Sequence, residues 1–116
     1  MELERPLGWD IRIPPPYDKE DFNYWRKRLE TWFQMDWNQW VVLSDPFEAP
    51  TDKKGKRLRP RHWTEEQREQ SEAAKEVTRI LHNLLPSNIL LSVGEYTSAC
   101  DLWKKIIAHH ENPTKF

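Results

Sequence analysis

Seven tryptophans in 116 residues constrain this chain more than any other feature. Trp25, Trp32, Trp37, Trp40, Trp63 and Trp103 all fall in or beside short segments whose apolar residues recur at helical spacing. An indole ring removes a large apolar area from water. A few such rings can therefore found a core in a chain with only 37% hydrophobic residues. Rings at this spacing predict a small all-α domain, a bundle of four to five helices, rather than a disordered tail.

The first helix is expected from Asp21, whose carboxylate can cap the exposed amides of a first turn. Phe22, Trp25, Leu29, Trp32 and Phe33 follow at steps that fit a period near 3.6. Arg26, Lys27, Arg28 and Glu30 occupy other faces and read as a solvated surface. A second short helix covers Asp36 to Leu43, with Trp37, Trp40, Val41 and Val42 on its buried side. Asp45-Pro46 stops it, because proline disfavours helix in the residue before it. The longest helix should follow Thr64, where Thr64-Glu65-Glu66-Gln67 forms a capping box. Ala73, Ala74, Val77, Ile80, Leu81 and Leu84 give its inward stripe, and Pro86 ends it. Ser87 to Val93 reads as one or two turns capped by Ser87 and closed near Gly94. A last helix starts at Ser98, with Asp101 completing a second capping box. Leu102, Trp103, Ile106 and Ile107 form its stripe, and Asn112-Pro113 ends it. No window alternates with period two for long enough to predict a sheet.

Two stretches fall outside this pattern. Residues 1–20 read as an extended arm, because Pro14-Pro15-Pro16 imposes polyproline II geometry. Trp9, Ile11 and Ile13 give that arm apolar side chains to lay across the domain of residues 21–113. Residues 44–62 hold three prolines and the chain's basic cluster, Lys53, Lys54, Lys56, Arg57, Arg59 and Arg61. A loop this long inside a compact domain is uncommon. It carries no interleaved aromatic on which bases stack. It is therefore expected to be a disordered, solvated insertion, with contact to RNA or an acidic partner as the alternative.

The residues exclude more chemistry than they suggest. A net charge of −1 argues against a polybasic nucleic-acid binder. No apolar run approaches the roughly 20 residues that span a bilayer, and Met1 to Asp10 lacks the apolar core of a secretory leader. Three glycines form no phosphate-cradling loop. His62, His82, His109 and His110 show no HxxxH pair for a metal. Cys100, in the first turn of a helix, has a nucleophilic reading with His109 or His110, but nothing resembles an oxyanion-hole loop. A buried structural thiol is the expectation. The chain reads as a non-enzyme with no metal, cofactor or small-molecule substrate, no membrane contact, and a place in the cytoplasm.

Three segments resemble the amino-terminal part of Gag from plant Ty1/copia-type retrotransposons. Tyr17 to Trp25, running into Leu29, looks like the family's F-x-G-x-N-Y-x-x-W opening. Asp36 to Val42, DWNQWVV, is similar to D-L-x-L-W-x-x-V. Thr97 to Glu111, TSACDLWKKIIAHHE, looks like T-A-x-E-x-W-x-x-L-x-x-x-H-E, with Ala99, Asp101, Trp103, Ile106, His110 and Glu111 at matching positions. The likeness spans roughly residues 14–113. The family's glycine in the opening turn is Lys19 here, and its asparagine before the helix is Asp21.

The resemblance implies a lobe like the amino-terminal lobe of a retroviral capsid protein, which packs beside copies of itself around RNA. Family members continue into a second lobe and a zinc knuckle, neither of which occurs in this sequence. The implied role is self-assembly through weak contacts between copies. The alternative is a domesticated adaptor that holds a peptide or partner helix in a groove. RNA binding through residues 53–61 is a weaker third.

Overall fold

The computed structural model describes residues 12–111. Five helices follow in order: α1 (Phe22–Phe33), α2 (Trp37–Ser44), α3 (Glu65–Leu84), α4 (Ser87–Val93) and α5 (Ala99–Glu111). One 3-10 turn, Pro60–His62, precedes α3. Among the described residues there is no strand, only an isolated antiparallel bridge between Thr51 and Arg57. The domain is an all-α bundle.

Side chains that satisfy first-turn amides set the helix starts. Asp21 accepts from the Tyr24 amide at 3.1 Å and Asp36 from the Gln39 amide at 3.2 Å. Thr64 and Gln67 exchange both bonds of the capping box, at 3.0 and 2.8 Å. Arg68 adds a bond from its guanidinium to the Trp63 carbonyl at 2.7 Å. Two starts depart from the sequence reading. Pro86, not Ser87, is the cap residue of α4, and it supplies no side-chain acceptor. Before α5, Ser98 Oγ accepts from the Asp101 amide at 3.0 Å, but the Asp101 carboxylate reaches one residue further back, to the Thr97 amide at 2.9 Å. Gly94 closes α4 at φ 78°, a backbone state that favours glycine.

The helices α2 and α3 pack together most extensively, α5 lies against α2, α3 and α4, and α1 packs on α2. The core is built from Trp25, Leu29 and Phe33 of α1, Val42 and Leu43 of α2, Ala73, Val77, Ile80 and Leu81 of α3, and Leu102, Trp103 and Ile106 of α5. Leu85 and Ile89 seal it at the α3–α4 corner. Phe22, Trp32, Trp40 and Leu84, which the periodicity assigns to the core, are half-buried at its margin. Trp37 is a correction. It is 69% exposed, although the sequence places it on the buried side of α2. An eight-residue helix buries only what its neighbours cover, and here they cover Val42 and Leu43.

The proline segment is bound to the domain rather than only leading into it. Pro15 is fully buried, and the Trp25 indole N–H donates to its carbonyl at 3.0 Å. Ile13 is 57% exposed, and Trp9 and Ile11 lie outside the described residues.

The loop of residues 44–62 is a second correction. It is a folded turn. Asp52 Oδ1 accepts from the amides of Lys54 and Lys56 at 2.8 and 3.0 Å, and Gly55 at φ 82° returns its N–H to the Asp52 carbonyl at 3.0 Å. The Trp63 indole then donates to the Leu58 carbonyl at 3.0 Å, and its ring meets Phe47 at 5.8 Å between centroids.

Candidate interaction surfaces

Three concave or chemically distinct places stand out on this frame. The largest is a groove of about 590 Å³ between α3 and the start of α5, floored by Val42, Phe47, Ala74 and Ala99. Lys75, Arg79 and His82 stand along its α3 rim. Each of the two rim cations has an acidic neighbour on the same helix: Lys75 pairs with Glu72 at 3.4 Å, and Arg79 pairs with Glu76. The guanidinium of Arg79 holds the Glu76 carboxyl below its ordinary value. His82 Nε2 shares a hydrogen bond with the Tyr96 hydroxyl at 2.8 Å and so ties the two walls together. At the far wall, the Thr97 amide and then Lys105 hold the Asp101 carboxyl below its ordinary value.

A smaller cleft of about 190 Å³ opens between α1, α2 and α5. Trp40, Leu43, Trp103 and Ile107 line it, with Arg26, Glu30 and Lys104 around the opening. Glu30 is its organising polar group. One of its oxygens accepts from the Trp103 indole at 3.0 Å and from Arg26 Nε at 3.3 Å. Arg26 also reaches Glu111 at 3.6 Å. The Glu30 bond answers a general need, since a buried indole N–H must find an acceptor.

The third place joins the proline segment to the end of α5. His110 stacks on Phe22 at 3.8 Å between ring centroids, with planes 5° apart. Its Nδ1 is bonded to the Ile106 carbonyl at 2.8 Å, which makes Nδ1 the protonated nitrogen of the neutral ring. Nε2 then accepts from the Tyr17 hydroxyl at 2.7 Å. Burial lowers the His110 pKa from its ordinary value; the Ile106 bond opposes this, and neighbouring His109 adds to it. Burial, then Asp18, raises that of Tyr17. Nothing in the local sequence signals a pair separated by 93 positions. The only hint is the aromatic Tyr17 set just beyond the triple proline.

The remaining residues singled out in the sequence are scattered among these places. Lys53, Lys54, Lys56, Arg57, Arg59 and Arg61 are all exposed on the 44–62 turn. Cys100 is buried, with its sulfur 3.5 Å from the Ser44 carbonyl. Both ring nitrogens of His110 are engaged, by Ile106 and Tyr17, which leaves that ring no free nitrogen for the thiol proton. Among the described residues, no three His, Cys, Asp or Glu side chains converge as a metal would require. No described helix is long and apolar enough to cross a membrane.

What fold and surfaces define among the described residues is therefore a class: a five-helix bundle with an aromatic core and an open groove between α3 and α5. In comparison with known proteins, no family model matches the chain. No curated protein and no solved structure matches it either. The likeness to plant retrotransposon Gag accordingly rests on the three sequence segments.

Proposed function

We propose that this chain is a non-catalytic self-assembly domain of a Gag-like protein, working in the cytoplasm through weak contacts between copies. The observation that carries this reading is the division of the aromatic and large apolar residues. The core closes around Trp25, Phe33 and Trp103, yet Ile13, Tyr24, Met35, Trp37 and Leu91 remain 55–81% exposed. Ile13, Tyr24 and Leu91 are single exposed residues of the kind any surface carries, whereas Met35 and Trp37, two positions apart, put two large apolar side chains on one short stretch, and that stretch supports contact with a neighbour. The order of the Gag-like segments supports the same reading. Weak single contacts permit reversible association, and their multiplicity stabilises a shell.

The test is direct. The purified chain, concentrated or placed in high salt, should scatter light increasingly and give multimers or particles in negative-stain electron microscopy. A chain that remains monomeric under all such conditions defeats the reading.

The groove between α3 and α5 favours a second reading, a domesticated adaptor that takes a peptide or partner helix between Phe47 and Ala99. Its mark would be saturable amide shifts at Ala74, Thr78 and Ala99 on addition of such a peptide. Self-association without those shifts favours assembly.

A further inference from the structure

We propose that two copies of this chain meet across α2, each placing Trp37 in the cleft that Trp40 and Ile107 line on the other. The inference rests on the self-assembly reading and deepens it by naming one contact. Trp37 is 69% exposed and Met35, two residues before it, is 59% exposed. The indole of Trp37 has no hydrogen-bond partner among the described residues, and its own fold does not bury it. An exposed indole beside an exposed methionine is the composition that dominates the centres of protein contacts.

The receiving site lies on the same face. Trp37 and Trp40 are three residues apart on one helix and so point to one side of it. Trp40 forms a wall of the 190 Å³ cleft, together with Leu43, Trp103 and Ile107. Projection and cleft are thus contiguous on one surface. A surface that carries both is self-complementary, and a two-fold axis satisfies both at once.

Charge agrees with this arrangement. Asp36 precedes Trp37 and would be carried to the mouth of the opposite cleft. There stands Lys104, exposed and without an ion pair among the described residues, while Glu30 at the same opening is already neutralised by Arg26. The acid of each copy therefore meets a base of the other. Two indoles with their rims cover less than the roughly 800 Å² per partner of a stable complex. The contact is correspondingly weak and reversible, which suits a lattice built from many such contacts.

Sedimentation equilibrium of the full 116-residue chain, from about 10 μM to about 1 mM, tests the proposal in the range where small interfaces dissociate. The wild-type chain should show a reversible monomer–dimer equilibrium. Trp37→Ala should weaken it by at least about tenfold, the effect of losing a central aromatic anchor. Lys104→Gln should weaken it less and reduce its sensitivity to salt. Circular dichroism keeps both variants interpretable, since each position is exposed and an unchanged helical spectrum excludes unfolding. Association of the wild type that Trp37→Ala leaves intact overturns this contact while the assembly reading stands. Growth beyond dimers is expected at the highest concentrations from the other contacts of a lattice, and Trp37→Ala should still remove the dimer from which it starts; higher multimers that form in Trp37→Ala as readily as in the wild type overturn the contact. A wild type that is monomeric throughout overturns the contact, and particle formation in the microscope then decides the assembly reading separately.

Discussion

Helices α1 and α2 are neighbours rich in the same residue, and they use it in opposite ways. Each begins with an aspartate cap. In α1, Trp25 is 1% exposed and its N–H reaches the Pro15 carbonyl; in α2, Trp37 is 69% exposed. The difference lies in what surrounds each ring. Trp25 has a partner for its N–H, with Tyr17 and Trp103 rings at 5.0 and 6.0 Å. Trp103 and Trp63 likewise have Glu30 and Leu58 as acceptors. Apolar area alone does not decide whether an indole is interior. An acceptor for its one polar atom must be brought to the same place.

Four measurements break or sharpen that contrast. The largest effect should come from Trp25→Ala, which empties the centre of the core and leaves the buried Pro15 carbonyl without its donor. A loss of about 3–5 kcal/mol in urea denaturation is expected. A loss below about 1 kcal/mol would dissolve the distinction between the two helices. Next come the caps, where the helices should behave alike. Asp21→Ala and Asp36→Ala should each cost about 1 kcal/mol by the same assay.

The third measurement is pH dependence. The His110 pKa lies below its ordinary value of 6.5 in the folded chain, so from that value downward the unfolded chain takes up the proton more readily. Stability should be flat with pH from about 6.5 to below the ordinary tyrosine value of 10.0, where the raised Tyr17 begins to cost, and should fall as pH drops from about 6.5 through the folded value of His110. Glu76 and Asp101 are also lowered, but from 4.5 and 3.8, so their contributions are lost only in more acid solution. His110→Gln should remove the part of the slope nearest neutrality. A pH profile of thermal melts identical to that of the wild type would show that His110 is not the group behind the slope. The smallest effect should be that of Trp37→Ala. In dilute solution, stability should change by no more than about 0.5 kcal/mol.

The parts of this fold that local chemistry specifies were legible in the sequence. Asp21, Asp36 and the Thr64–Gln67 box mark helix starts because a cap acts within three residues. Pro86 and Gly94 mark breaks for the same reason. The stripe Ala73, Val77, Ile80 and Leu81 is legible because α3 is 20 residues long and its period is unmistakable. Trp37 was not, because an eight-residue helix with apolar side chains on several faces offers no single stripe. The order within residues 44–62 was hidden by their prolines and charges, although Asp52 and Gly55 are the residues a tight turn needs. The surfaces were legible least of all. The His110–Tyr17 bond and the cleft beside Glu30 join positions far apart in the chain, and no spacing rule reaches that far.

The bond from Trp25 to Pro15 has a mechanical meaning. Tension applied upstream of Pro15 enters the domain through an indole anchored beside Trp103, not through the free end of a helix. The first turn of α1 is thereby sheltered from peeling. Rupture would instead demand that the clasp and the centre of the bundle give way together, in the manner of a rivet rather than a zip.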